Sequence, residues 1–292
     1  MSDLHCTKAA FVQTNAHVVW HEAVSSRYFL LRLSAPAIAQ TAQPGQFVMI
    51  SVRSDLPGIP NSCDPLLPRP LAVLDADPKT GQIELLYFIA GRGTAELNAA
   101  ATFALQTRQA VFRTLGPFGR GFTPIENVDT HIGVGGGSGV APLVFFFRRM
   151  PESSKRQLIL AARSKDQLAR EDVVASPGVT LHPATDDGSA GFKGNAVQAL
   201  REMLNGPLKG KLVGVYAAGP EPMMEAAVKL SREFGLPCRV SLESRMACGV
   251  GVCRGCVVDG VGPHPKTGLK RRVVCQDGPV FDPKELAGVW SG

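Results

Sequence analysis

Ile132-Gly-Val-Gly-Gly-Gly-Ser-Gly-Val-Ala-Pro-Leu-Val144 decides the fold of this chain. An apolar start, a turn of Gly135, Gly136, Gly137, Ser138 and Gly139, and an apolar stretch with Pro142 near its start spell strand, turn and helix. A plain tight turn needs about one glycine. This run lets backbone approach a pyrophosphate closely, with the positive end of a helix behind it. The spacing is not G-x-G-x-x-G, so the turn alone names no ligand.

Downstream the same rhythm repeats. Residues 131–134, 157–161, 179–182 and 211–216 read as buried strands, alternating with helix-compatible stretches at 141–149, 166–175, 195–204 and 221–233. That alternation predicts a doubly wound parallel sheet over residues 123–237. Two more corners fall at strand ends, Thr185-Asp-Asp-Gly-Ser189 and Ala217-Ala-Gly-Pro-Glu-Pro-Met-Met224. The second reads equally as a ligand corner and as a Pro-initiated helix with buried methionines. Ligands of open α/β sheets bind at the strands' carboxyl ends, where all three corners lie.

Upstream the pattern is different. Short β-leaning runs at 17–20, 28–33, 46–52, 71–74, 82–89 and 110–115 are separated by turns such as Gln43-Pro-Gly45 and Asp77-Pro-Lys-Thr-Gly81. One helix, at 94–101, interrupts them. Residues 1–122 are therefore expected to form a small antiparallel β barrel. From Cys238 to Gly292, glycine, cysteine and proline are dense and no helical period persists, which suits a compact loop-rich module.

Composition fits this three-part division. The chain has 292 residues, 45% hydrophobic and 19% charged, the balance of a globular protein rather than a disordered one. A net charge of +6 is spread along the chain, with no basic footprint for nucleic acid, and Lys270-Arg271-Arg272 reads as a solvated loop. The longest near-apolar run, 140–147, contains Pro142 and falls far short of a membrane span of about 20 residues. The first residues lack the layout of a signal peptide, so the chain reads as cytoplasmic.

Seven cysteines in such a chain are not read as disulfides. Cys6, Cys63 and Cys238 stand alone. Cys248, Cys253, Cys256 and Cys275 are spaced x4, x2 and x18. Zinc sites usually show two short Cys pairs, whereas one CxxC, a wider gap and a remote cysteine match the plant-type loop that holds a 2Fe–2S cluster. Gly249, Gly251 and Gly255 let the backbone fold round the cluster and aim N–H groups at its sulfurs. Structural zinc and unligated thiols are the alternatives.

Together these stretches resemble the ferredoxin–NADP reductase superfamily, and within it the electron-transfer subunits of NAD-dependent dihydroorotate dehydrogenases. The likeness runs from about residue 11 to the C-terminus. It is carried by Arg69-Pro-Leu-Ala-Val73, Gly91-Arg-Gly-Thr94, Leu115-Gly-Pro-Phe-Gly-Arg-Gly-Phe122, the three corners, Ser241-Leu-Glu-Ser-Arg-Met-Ala-Cys-Gly-Val-Gly-Val-Cys-Arg-Gly-Cys256 and Val274-Cys-Gln-Asp-Gly-Pro-Val-Phe281. The resemblance implies an FAD-binding barrel, an NAD-binding α/β domain and a 2Fe–2S module. FAD would meet Arg69, Pro70, Leu71 and Ala72, then Leu86, Tyr87 and Phe88, with Gly93 and Thr94 at its pyrophosphate. Ala72 departs from the family's Arg-Pro-x-Ser stretch and offers flavin N5 no hydroxyl. NAD would meet Gly135, Gly136, Gly137, Ser138, Gly139, Asp186, Gly219, Pro220 and Met223.

The implied partner is an FMN-containing dihydroorotate dehydrogenase catalytic subunit, in a heterotetramer of two of each. Electrons would run between dihydroorotate and NAD through the cofactors, and no Ser/His/Asp nucleophilic constellation is present or needed. Two other readings stand beside it. One is a reductase subunit of a different complex, ferredoxin-dependent or sulfide-oxidising; the other is a zinc-stabilised nucleotide-binding regulator. Ala162-Arg-Ser-Lys165, after the second parallel strand, lacks an acidic residue and favours a 2′-phosphate, whereas the family likeness favours NAD.

Overall fold

The computed structural model describes residues 11–52, 67–107 and 111–290. Cys6 and Cys63 lie outside them. The barrel comprises β1 (Val12–Ala23), β2 (Tyr28–Ser34), β3 (Phe47–Val52), β4 (Arg69–Asp77), β5 (Gln82–Phe88) and β6 (Val111–Phe118), closed in the order β1-β2-β5-β4-β3-β6. Helical segments α1 (Pro36–Ala39) and α2 (Arg92–Thr107) cover it. Alternation puts Leu31 and Leu33 of β2 and Ile83, Leu85 and Tyr87 of β5 in one buried set with Leu97 and Ala101 of α2.

The second layer is a seven-stranded sheet. Its strands are β7 (Thr130–Gly136), β8 (Arg156–Ala162), β9 (Val179–Thr185), β10 (Phe192–Lys193), β11 (Val213–Ala218), β12 (Cys238–Ser241) and, further along the chain, Val280–Phe281. Helices α3 (Val140–Arg149), α4 (Glu171–Val174), α5 (Ala196–Asn205) and α6 (Glu221–Glu233) connect them. Spatial order is β10-β9-β8-β7-β11-β12, all parallel, with Val280–Phe281 antiparallel at the edge. The order reverses direction between β7 and β11, the usual ligand position in such sheets. Beyond the sheet, β13 (Val257–Asp259) pairs with β14 (Arg271–Val273), followed by the single turn α7 (Val274–Asp277) and the edge strand β15 (Val280–Phe281).

The expected architecture is present, with two differences. The stretch 166–175 is not one helix: a 3-10 turn at Lys165–Gln167 and α4 are separated by extended backbone at Leu168 and Arg170. There the Arg170 N–H donates to the carbonyl of Val24 and its guanidinium grips Glu22 at 2.9 Å, so barrel contacts replace helical bonds. The division at 237/238 also cuts through the sheet. Cys238–Ser241 is its sixth parallel strand, paired with Val215–Ala218, and Val240 is fully buried in the sheet core.

Helix α3 joins the two layers. Val140 through Phe147 are all buried, so it is apolar on every side. Phe146 and Phe147 pack with Tyr216 and Leu158 of the sheet, while Phe145 enters the barrel core. Its last turn carries Arg148, which bonds Asp75 Oδ2 at 2.9 Å and the carbonyl of Val173 at 2.8 Å. Arg149 reaches Asp75 Oδ1 at 3.3 Å, and Arg32 holds Glu84 at 2.6 Å beside them.

Arg148→Met takes one donor from half-buried Asp75, which keeps Arg149, and removes the side-chain donor to the Val173 carbonyl. It should cost about 2 kcal/mol, read as a lower urea midpoint at unchanged m. An unaltered midpoint would show that the clamp adds nothing. A second expectation concerns acid. Burial holds His21, His131 and His182 below the ordinary value of 6.5, with Arg156 adding to the effect at His131. Unfolded histidines take up protons near 6.5 while the folded ones resist, so this stability is present above 6.5 and lost as pH falls below it. The urea midpoint should drop between about pH 7.5 and about pH 5.5. It should drop less in a His21→Gln/His182→Gln variant.

Candidate functional site: a cleft that leads into a cysteine cage

Strand register brings the carboxyl ends of the parallel strands level: Ala162 faces Thr185, Gly135 faces Ala218, and Ala218 faces Ser241. Where this edge meets the barrel there is a cavity of about 270 Å³. Arg69, Pro70, Leu71 and Ala72 of β4 and Leu86, Tyr87 and Phe88 of β5 form its barrel wall. Thr94 of α2 closes one end. Ser138, Gly139, Ala218 and Gly219 form the sheet wall, and Ser241, Leu242, Glu243, Ser244 and Met246 the third side. This is an open, mainly apolar cleft with few polar groups, the usual form of a cofactor site.

Arg69 and α2 meet at one end. The Arg69 guanidinium occupies the space a side chain at Gly93 would need. A fixed cation thus sits at the positive end of a helix whose first N–H groups have no helical acceptor, an arrangement suited to phosphate oxygens. The Thr94 hydroxyl has other work. It accepts from the N–H of Ala90 at 2.8 Å and of Gly91 at 3.2 Å, and donates to the Gly91 carbonyl at 3.0 Å. What Thr94 can offer an anion is its backbone. Behind the cleft, Tyr87 Oη meets His21 Nε2 at 2.8 Å and accepts from Asn98 Nδ2 at 3.2 Å. Phe29 stacks on both His21 and Tyr87. The phenol therefore ties α2 to β5 and is turned away from any ligand.

The glycine turn has two uses. A Cβ on Gly139 would strike the backbone of Gly219, so the two corners touch only because both residues are glycine. Met223 and Pro220 pack on Gly136, and the Tyr28 hydroxyl lies beside Gly137. Of the residues expected at the nucleotide, Ser138, Gly139 and Gly219 line the cleft, while Gly135, Gly136, Gly137, Pro220 and Met223 are not among its lining residues. Asp186 is exposed outside the cleft. Its loop is laced to the loop after β8, since the Lys165 N–H donates to Ser189 Oγ at 2.8 Å and the Asp187 N–H to the Arg163 carbonyl at 3.2 Å.

The third wall continues straight into the cysteines. Met246 lines the cleft and Cys248 is two residues on. The left-handed backbone at Gly249 (φ 70°) turns the loop against Met49 of β3, where a Cβ would not fit. Cys256 and Cys275 are buried, Cys248 half-buried and Cys253 exposed. The Cys253 N–H points at Cys248 Sγ at 3.4 Å and the Gly255 N–H at Cys253 Sγ at 3.4 Å. Burial opposes a charge on Cys248, but the N–H groups of Cys253, Val250 and Val252 outweigh it and bring the thiol down to about 7. Burial, then the neighbouring Cys256 thiol, pushes Cys275 up to about 12. The thiols fall into two pairs, Cys248 with Cys253 and Cys256 with Cys275. Among the described residues, no three His, Cys, Asp or Glu side chains converge on a single-ion position. Paired thiols with N–H groups aimed at sulfur suit two irons with two thiolates each better than one tetrahedral ion.

Sequence reasoning missed Glu243, Tyr28 and the His21–Asn98 brace. Each is polar and sits in an unremarkable stretch; the fold alone brings Glu243 into the cleft wall, Tyr28 beside Gly137, and His21 and Asn98 to Tyr87.

Barrel, parallel sheet and cysteine cage define an iron–sulfur reductase of the ferredoxin–NADP reductase type. Residues 243–287 match the iron–sulfur cluster binding domain of dihydroorotate dehydrogenase B. The chain is 35% identical over 268 residues to the electron transfer subunit of dihydroorotate dehydrogenase B (NAD(+)) of Geobacillus kaustophilus, covering 90% of this chain and 94% of that one. It is 33% identical to the Enterococcus faecalis subunit of the same name, over 92% and 96% of the two chains. It therefore belongs to the family of dihydroorotate dehydrogenase B electron transfer subunits. Among solved structures it is similar to an NADH-dependent reduced ferredoxin–NADP oxidoreductase studied for flavin-based electron bifurcation. The identity there is 27% and the TM-score 0.75, over 95% of this chain and 91% of that one. The ferredoxin reductase of carbazole 1,9a-dioxygenase, 21% identical with a TM-score of 0.57 over 78% and 67% of the chains, shares the fold.

Cys275→Ser removes one of the two buried thiols of the four-cysteine cluster. It should abolish most of the iron and labile sulfide per chain while leaving the flavin absorbance. Undiminished iron would remove Cys275 from the ligand set.

Proposed function

We propose that this chain carries electrons between a dihydroorotate dehydrogenase catalytic subunit and NAD(H) in pyrimidine biosynthesis, using FAD in the cleft and a 2Fe–2S cluster in the cage. The observation that carries this is the continuity of cleft and cage: the wall 241–246 lines one and leads directly into the other. When bound, FAD exchanges a hydride with NAD(H) and single electrons with the cluster.

The chain's own residues supply position and charge. Arg69 and the start of α2 hold the pyrophosphate. Pro70, Leu71, Ala72, Leu86 and Phe88 give the ring an apolar, water-poor wall, with backbone rather than a hydroxyl available at Ala72. Ser138, Gly139 and Gly219 border the nicotinamide end of the cleft, and Cys248, Cys253, Cys256 and Cys275 hold the iron. Residues 1–122 thus serve the flavin, 123–241 the nucleotide and 242–292 the cluster. The partner is taken to contain FMN and to join in a heterotetramer of two chains of each kind. Among the described residues, no helix is long and apolar enough to cross a membrane.

A second reading has two observations behind it. The likeness to the ferredoxin–NADP oxidoreductase spans nearly the whole chain, and Arg163 and Lys165 are exposed beside the nucleotide edge. On that reading the partner is a ferredoxin-linked subunit and the nucleotide carries a 2′-phosphate.

Anaerobic pull-down of the native complex, with flavin and iron analysis, decides between them. The first reading expects FAD, FMN, iron and dihydroorotate-dependent reduction of NAD+. A partner without dihydroorotate oxidation, together with a kcat/KM favouring NADPH, would replace it with the second. A colourless, zinc-containing chain would overturn both.

A further inference from the structure

Hydride exchange and single-electron exchange do not balance in protons. NADH gives up a hydride, which is two electrons and one proton. The cluster takes electrons only. Oxidation of one NADH by two one-electron transfers to the cluster therefore leaves one proton to be removed from the cleft. The reverse reaction must bring one in. Some group beside the flavin has to handle it, or the proton must find water unaided in a mainly apolar pocket.

Few groups can do so. Among the described residues, the ionisable side chains lining the cleft are Arg69, Tyr87 and Glu243. Arg69 keeps its proton at any working pH. Tyr87 is pushed up by burial, and its hydroxyl is held by His21 and Asn98 on the far side of the wall. Glu243 is different. It borders the cleft on the segment between the sheet edge and the first cluster cysteine, and its side chain is also open to solvent. Water reaches it from one side and the cofactor pocket lies on the other.

We propose that Glu243 is the proton-exchanging carboxylate of the flavin cleft, accepting the proton released as electrons leave for the cluster and returning one when NAD+ is reduced. The inference rests on the flavin reading above. In the NADH-oxidising direction the carboxylate takes the proton at Oε and passes it to water; no other reactant is required.

Its surroundings favour this duty. Burial of its cleft-facing side raises the carboxyl above the ordinary value of 4.5. Among the described residues no charged partner acts on its carboxyl, and burial is the one cause of its shift. Tyr28 of β2 feels its charge, with Arg27 next to that phenol. Arg69 of β4 and Tyr87 of β5 line the same cleft, and Arg245 is exposed two residues along the chain. Ser138, Ala218 and Gly219 on the sheet side carry no charge. A carboxylate locked to a partner Arg would be held ionised; Glu243 is free to change state.

The test uses holoprotein loaded with FAD and iron, NADH as donor and ferricyanide as acceptor. In the wild type the rate should rise with pH through a limb above the usual carboxylate range. Glu243→Gln should remove that limb and lower the rate by about a hundredfold. Glu243→Asp should keep the limb. Independently of turnover, the reduced-minus-oxidised infrared difference spectrum should show a carboxyl signal that Glu243→Gln lacks. A glutamine variant with full flavin and iron, an unchanged pH profile and an unchanged infrared signal overturns the inference and leaves the electron-transfer reading intact. A wild-type chain that binds no flavin overturns both.

Discussion

Everything at the site depends on α3 being buried on all sides. A surface helix has one apolar stripe; this one has eight consecutive buried residues because two layers compete for it. Each of its buried phenylalanines contributes roughly 2–3 kcal/mol by leaving water. The helix cannot shift towards the barrel without uncovering Phe146 and Phe147, or towards the sheet without uncovering Phe145. Arg148 and Arg149 then fix its far end to Asp75. Its near end is the glycine turn, so the same packing that joins the layers sets the width of the cleft between them.

That clamp explains why the site tolerates unusual economy in its polar groups. On the proposed reading the phosphate end needs only Arg69 and a helix terminus, since α2 is braced to β5 through Tyr87, Asn98 and His21. The cluster end needs only thiols and backbone, since Gly249 seats the loop on Met49. Arg120 adds a third fixing point: it donates to the Val280 carbonyl at 2.9 Å and pairs with Glu285 at 2.9 Å, tying the barrel's exit to the chain's last segment.

How much of this could be read beforehand varied with the range of the forces involved. Period-2 and strand–helix alternation are local, and all six barrel strands and four of the six parallel strands were legible from them. The cysteine spacing was legible because a cluster constrains sequence distance directly. Residues 166–175 were not, because the break at Leu168–Arg170 is made by Val24 and Glu22, more than a hundred residues away. Strand β12 was hidden by its shortness and its neighbours' composition; only pairing with β11 defines it. The glycine run also has a packing use that the sequence did not reveal, since Gly136 meets Met223 and Gly139 meets Gly219. Glu243 carried no signal at all, since a single glutamate acquires meaning only from the cavity it borders.

The edge strand β15 has a consequence for how such a chain can be divided. After leaving the sheet to build the cysteine cage, the polypeptide returns, and Phe281 and Val280 pair with Val240 and Ser241. The cage is therefore an excursion between two strands of one sheet rather than a tail appended to it. A chain cut after the nucleotide-binding strands would lose more than its metal: β12 would become an open edge, with free N–H and C=O groups inviting a second copy to pair. The parts that differ in chemistry are thus not the parts that would separate as folding units. Borrowing the cage for another reductase would require moving the strand that closes it as well.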